Sequence, residues 1–313
     1  MKEKLLLAVM FLSGFVLDIS AQSRSLPFLE FNPDVRTAGM GDAFPGQSGS
    51  MYIYANPTAF PKGSRRTYFS CSFGRYPEFE GESKYYQALS AGFGFGKQAL
   101  MFGFRRMNDY SFRLIGEDMV EREKVRPVDK AFDLVFARRF GEGRFSAFIG
   151  GSFIYSSKGE TARTGGVNGG LYYKGVLTLE RKKGGYVFGL GFRNMGGKIK
   201  YGEGEKNPMP GSIVFGTSAN LPFSRIHRLD LAFSTDCFVF PSNAPEFTLG
   251  MGAEYRIFEI CALRAGYHYG KNLDYFTLGT GITYKSVGMD LAYQIADSES
   301  NVNTVRIGFH FGF

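Results

Sequence analysis

The sequence predicts an all-β fold, a transmembrane antiparallel β-barrel of about 14 strands with an N-terminal hatch or plug segment, and three observations lead to it. Apolar and polar residues alternate strictly through many segments, the alternating segments are even in number, and the chain ends on the aromatic run Phe309-His310-Phe311-Gly312-Phe313. Successive side chains of a strand point to opposite faces, so strict alternation suits a wall with lipid on one side and a polar lumen on the other. A soluble β-sandwich also alternates, but segments of about ten residues suit a tilted bilayer crossing better than ordinary sandwich strands. The composition agrees: 42 Gly, 33 Phe, 18 Tyr and no Trp make the chain aromatic, while its mean hydropathy stays slightly below zero.

From the N-terminus, Lys2 and Lys4 precede an apolar stretch from Leu5 to Leu17, and Ile19-Ser20-Ala21 follows. This pattern predicts a cleavable secretory signal over residues 1–21, cut near Ala21, and delivery to the outer membrane. The first cysteine is Cys71, so no lipid is attached at that site. Beyond the first twenty positions there is no apolar run of the roughly 20 residues that a membrane helix needs. Residues 22–66 hold Pro27, Pro33, Pro45, Pro57 and Pro61 and lack sustained alternation. Such a stretch is not wall; it is expected to be a periplasmic segment or a hatch folded into the lumen.

Residues 67–313 carry the barrel pattern. Between Glu246 and Ile257, Phe247, Leu249, Met251, Ala253, Tyr255 and Ile257 share one face against Glu246, Thr248, Gly250, Gly252, Glu254 and Arg256. Reading every such stretch predicts strands near 67–74, 84–96, 98–107, 130–140, 144–157, 167–181, 185–193, 211–221, 226–239, 245–257, 258–269, 273–285, 286–296 and 303–313. Bacterial barrels have short turns on the periplasmic side and long loops outside. Tight turns are expected at Gly96-Lys97, Gly141 to Gly143, Lys182 to Gly184, Phe258 and Lys285-Ser286, and long loops at 108–129, 156–166, 194–210 and 297–302. The short link at 270–272 departs from the pattern.

The chemistry is equally bounded. The net charge of +8 is spread along the chain rather than clustered, which argues against nucleic-acid binding. Cys71, Cys237 and Cys261 have no metal-like spacing, and His227, His268 and His310 accompany no serine motif, so no catalytic, metal or cofactor residue is expected and no enzyme activity. Gly39-Met40-Gly41 opens no βαβ unit and is not a nucleotide loop. Arg264 with His268 and Arg306 with His310 fall on lumen-facing positions and are expected to form one polar cluster. The long outer loop carries Arg113, Glu117, Asp118, Glu121 and Arg122, suited to a protein partner or to lipopolysaccharide of the surrounding outer-membrane lipid; loop 194–210 would flank it.

Three blocks of the N-terminal segment carry a family likeness: Pro27-Phe28-Leu29, then Pro33-Asp34-Val35-Arg36-Thr37-Ala38-Gly39-Met40-Gly41-Asp42-Ala43, then Tyr54-Ala55-Asn56-Pro57-Thr58-Ala59-Phe60. In order and spacing they resemble the N-terminal signature of the PorV/PorQ family of Bacteroidetes outer-membrane proteins, and the Pro-Asp-x-Arg form is closer to PorV. The resemblance implies a barrel related to the FadL-like ones and a role in type IX secretion, with the translocon and secreted cargo proteins as partners. The alternative is a FadL-like transporter of hydrophobic small molecules. On physical grounds Gly39 and Gly41 suit close packing or a positive φ beside Met40, Asn56-Pro57 suits a turn, and Arg36 is expected to pair with Asp34 or Asp42.

Overall fold

The structure is a computed structural model that describes residues 25–43, 50–60, 63–79, 81–115, 121–179, 182–242, 245–270, 274–296 and 303–313. The expected signal and its cleavage site lie outside the described residues.

Fourteen antiparallel strands close into one barrel, as the alternation predicts. In chain order they are β1 (Gly63–Arg75), β2 (Tyr85–Gly96), β3 (Gln98–Asn108), β4 (Val128–Phe140), β5 (Phe145–Lys158), β6 (Glu160–Leu179) and β7 (Lys182–Gly196). They continue as β8 (Ser212–Pro222), β9 (His227–Phe238), β10 (Glu246–Ile257), β11 (Cys261–Tyr269), β12 (Tyr275–Tyr284), β13 (Val287–Ala296) and β14 (Thr304–Gly312). Each pairs with its chain neighbours, and β1 closes on β14 from Tyr68↔Gly312 to Arg75↔Val305. Closure leaves no unpaired edge, the condition for strands in lipid.

The wall is sorted by side. On β4, Phe132 is 54% exposed and Leu134 49%, while Asp133 between them is 6% exposed and Val135 4%. At the short-turn end, outward Phe140, Phe145, Phe223, Phe258, Tyr284 and Phe313 are all exposed, an aromatic girdle of the kind that sits at a membrane interface.

Two connections differ from expectation. Residues 156–166 are not a loop: β5 and β6 run on to the pair Lys158↔Glu160 and turn at Gly159, whose φ of 97° suits glycine alone. Gly165 and Gly166 look like loop on propensity, yet they are wall, with Met209 and the main chain of Asn194 packed where a Cβ of Gly166 would stand. Lys182 to Gly184 are likewise already strand, the first residues of β7.

The interior is packed rather than open. Leu26, Phe28, Leu29 and Met51 of the N-terminal segment form one apolar cluster with the inward Tyr86, Met107, Ala131 and Ile154 of the wall. Ile199 and Met209, from the loop between β7 and β8, join the same cluster, so this loop folds in over the lumen instead of standing beside the outer one. The helix α1 (Val35–Ala38) lies against β12, β13 and β14. Asp34 caps it by accepting from Thr37 N at 2.8 Å and also accepts from Met51 N at 2.5 Å, which ties the two halves of the segment together.

The segment meets the wall backbone to backbone. Gly41 has a φ of 69°, and a Cβ there would lie 2.5 Å from Tyr267 O; a Cβ on Gly252 or Gly266 would overlap the main chain of Met40 and Gly41. Glycine on both sides is what lets the chain pass this close. Gly252→Val is therefore expected to leave the barrel closed but to weaken docking of residues 34–43 by about 3 kcal/mol. Unchanged heat-modifiable electrophoretic migration together with faster tryptic cleavage after Arg36 is the predicted signature, and unchanged cleavage would refute the close approach.

Candidate functional site

The main anchor of the segment is ionic. Arg36 donates to Glu254 through Nε at 2.9 Å and Nη2 at 2.8 Å, a bidentate pair in which Glu254 is fully buried. Two more guanidinium groups converge on the same carboxylate, Arg264 Nε at 2.6 Å and Arg256 Nη2 at 2.7 Å. Asp230 lies 3.7 Å from Arg36. Burial opposes the charge on Arg36, but the carboxylates of Glu254 and Asp230 outweigh it and hold the guanidinium protonated. The expected pairing of Arg36 with Asp34 or Asp42 is thus replaced by a pairing with the wall: Asp34 serves as a cap, and Asp42 accepts from Tyr275 Oη at 2.5 Å and lies 3.5 Å from Arg306.

The four lumen residues expected in one cluster form two. Arg264 and His310 share Asp290, at 2.8 Å and 3.4 Å. His268 stacks on Tyr275 with ring centroids 4.7 Å apart and sits 3.3 Å from Gly41 O, while Arg306 joins Asp42 and Gln294. The reason is direction. β11 leaves the short-turn end and β14 returns to it, so Arg264 and His310 are at that end and His268 and Arg306 at the other. Glu254, Asp230 and Asp290, which organise the first cluster, were visible only as charges at inward parity on neighbouring strands.

A third pairing lies on the opposite wall. Arg105 of β3 and Asp133 of β4 make a bidentate pair at 2.9 Å, and Tyr54 Oη donates to Asp133 at 2.8 Å. Of the remaining motif residues, Asn56 caps the turn Pro57–Ala59 by accepting from Thr58 N at 3.0 Å, the turn expected at Asn56-Pro57. Gly39 lies 3.1 Å from where a Cβ of Gly279 would stand, and Met40 is fully buried.

Among the described residues, two of the cavities in the lumen flank the turn at Asn56-Pro57. The outer one, of about 360 Å³, lies toward the long loops between Phe31, Tyr76, Phe148, Tyr172, Phe238 and Arg306. The inner one, of about 590 Å³, lies toward the short turns and is lined by Arg139, Lys174, Lys183 and Arg228 with Asp230 among them. Pro57 borders the outer cavity and its neighbours Asn56 and Thr58 the inner, so this turn is the partition. Arg139 holds it from the wall by donating to Thr58 O at 3.1 Å and to Phe60 O, with its guanidinium 4.0 Å from the centre of the Phe60 ring.

The wall is irregular where the outer cavity reaches it. Pairing of β6 with β7 steps from Val167↔Met195 to Gly169↔Phe192, a bulge that leaves Asn194 at a φ of 53°. The Asn168 side chain takes up the Asn194 N–H at 2.8 Å in place of a ladder bond. Gly169 and Phe192 from the outward face, and Asn168 and Arg193 from the inward face, all border the cavity here.

Of the outer-loop candidates, Arg113 is exposed on a two-stranded ribbon, Phe112–Ile115 paired with Glu121–Val125. Glu117 and Asp118 lie outside the described residues, as do the side chains of Glu121 and Arg122. The ribbon leans on the neighbouring loop, where Glu82 accepts from Lys124 and from Ser111, and these contacts hold its carboxyl below the ordinary range.

No protein-family model matches the sequence, and no curated protein is significantly similar to it. Solved structures do match. The toluene transporter TbuX of Ralstonia pickettii is 14% identical with a TM-score of 0.55, over 91% of this chain and 98% of that one. The toluene transporter TodX of P. putida is 11% identical with a TM-score of 0.57, over 91% and 98%. CymD, a monoaromatic hydrocarbon channel, is 13% identical with a TM-score of 0.57, over 93% and 98%. The fold is shared with these transporters and channels. The resemblance of the N-terminal blocks to PorV/PorQ is not matched by any of these comparisons, whose solved neighbours are transporters and channels.

The anchor of the N-terminal segment gives a direct test. Arg36→Met is expected to weaken docking of the N-terminal segment by about 3 kcal/mol, at the low end for breaking a buried pair because Arg256 and Arg264 still compensate Glu254. Hydrogen exchange in residues 34–43 should then quicken about a hundredfold with the strand amides unchanged, and equal protection in variant and parent would discard the anchor.

Proposed function

We propose that the protein lies in the outer membrane and passes small, largely apolar molecules across it, with residues 25–60 as the hatch. The observation that carries this reading is the outer cavity, aromatic in much of its lining, closed below by the Asn56-Pro57-Thr58 turn and bordered at the side by the β6–β7 bulge. A transporter needs both a pocket and an irregular wall or movable partition beside it, whereas a barrel that only docks proteins needs neither. The likeness to toluene and monoaromatic channels supports the same reading at the level of fold. The lipid-facing exterior and its aromatic girdle support residence in the membrane.

The secretion reading rests on the N-terminal blocks alone. In this chain Asp34, Arg36, Gly39, Gly41, Asp42 and Asn56 all have partners or close contacts within the barrel, and these account for the motif without a secretion partner or cargo.

The two readings separate in cells. Deleting the gene is expected to slow uptake of a radiolabelled monoaromatic compound to the rate of the bare membrane and to leave the set of secreted proteins unchanged. The reverse result, normal uptake with lost surface delivery of secreted proteins, would reject transport in favour of the PorV-like role.

A further inference from the structure

The charges around the outer cavity cancel. Its carboxylates are Glu30, Asp42, Asp133 and Asp236, and its cations are Lys84, Arg105, Arg193 and Arg306. Each cation is also paired: Arg105 with Asp133 at 2.9 Å, Arg193 with Asp236, Arg306 with Asp42 at 3.5 Å, and Lys84 with Asp109 just beyond the lining at 3.1 Å. Burial pushes the Tyr76 phenol up, so that side chain stays neutral as well. A ligand carboxylate entering here would add a charge with no surplus cation to meet it, and would have to break one of these pairs to find a partner.

A bare hydrocarbon fits no better. Asn168, Asn194, Gln294 and Thr248 face the same space as the rings, and an apolar ligand would leave their remaining hydrogen-bonding capacity unused. One donor already lacks an acceptor: Arg306 is 6% exposed, and its Nε meets no partner among the described residues. The same guanidinium lies 4.2 Å over the centre of the Phe31 ring, so the unpartnered donor stands next to an aromatic side chain.

We infer that the ligand of the outer cavity is a neutral aromatic molecule of about one ring that carries a hydrogen-bonding group, its oxygen accepting from Arg306 Nε and its ring lying among Phe31, Tyr76 and Phe238. The inference rests on reading this cavity as the binding site. It narrows the substrate class from hydrophobic molecules in general to phenol-like or benzylic alcohol-like ones.

Because the chain has no Trp, Phe238→Trp introduces a lone fluorescence reporter into the lining. Toluene, benzyl alcohol and benzoate share a ring and differ in polarity and charge, so the three are titrated against this variant, and by calorimetry against the unsubstituted protein. Benzyl alcohol is expected to bind about tenfold more tightly than either of the others. Arg306→Lys, which keeps the charge but loses Nε as a planar donor, is expected to bring benzyl alcohol to the level of toluene and to leave toluene unchanged. Tightest binding of toluene, or of benzoate, overturns the inference while leaving the transport reading in place. An unchanged benzyl alcohol affinity in Arg306→Lys overturns the role of Arg306. Absence of binding by all three in both measurements overturns the cavity as a binding site, and the transport reading with it.

Discussion

A single buried carboxylate organises the interior. Glu254 has no contact with solvent, and a lone charge in that position would cost several kcal/mol. It is tolerated because three guanidinium groups reach it, two from the wall and one from Arg36 of the N-terminal segment. The third one sets the geometry. Arg36 reaches Glu254 only if α1 rests on β12 to β14, and that placement brings Met40 and Gly41 onto the glycines of β10 and β11. Once the segment is fixed there, its second half must cross the lumen, where the Asn56-Pro57-Thr58 turn divides the space into two cavities. The partition is thus a consequence of an ion pair well removed from it in sequence.

Much of the wall was legible in the sequence because a barrel imposes one rule on every strand: alternate side chains see lipid and lumen. All fourteen expected segments are strands, and Glu246–Ile257 matches the reading to within a residue. The misreading at 156–166 shows the limit of propensity. Glycine is poor in an isolated strand, but in β6 the missing side chain of Gly166 makes room for Met209 and the main chain of Asn194. The polar cluster was misjudged for a different reason. Parity gives the face a residue occupies but not its height, and Arg264 and His310 meet only through Asp290 of a third strand. The partner of Arg36 was hidden too, since nothing local marks a contact with Glu254 across 218 residues.

The N-terminal motif is readable as folding information. Asp34 gathers the amides of Thr37 and Met51, Gly41 supplies a positive φ against the wall, and Asn56 caps the turn that divides the lumen. Each role is met inside the chain. A motif of this kind can be shared by barrels that dock the same segment in the same way while handling different molecules, because function resides in the site and not in the fold that carries it. The motif blocks lend Pro27, Leu29, Pro33, Asp42, Tyr54 and Pro57 to the outer cavity, but most of its lining comes from the wall, chiefly β4 to β9, and these are the positions at which such barrels are free to differ.

On the transport reading, the two ways out of the outer cavity differ in what has to break. The downward route passes the partition, where Arg139 binds two backbone carbonyls and covers the Phe60 ring. Losing a buried charge-assisted contact costs about 3 kcal/mol or more. The sideways route passes the β6–β7 bulge, where one side-chain bond, Asn168 to Asn194 N–H, stands in for the ladder, and such a bond contributes about 1 kcal/mol. Gly169 and Gly191 leave no side chain in the way, and Phe192 stands beside them on the outward face. The difference favours the sideways route, and with it delivery of a small molecule into the lipid rather than into the cationic inner cavity, which offers a neutral ring little to bind.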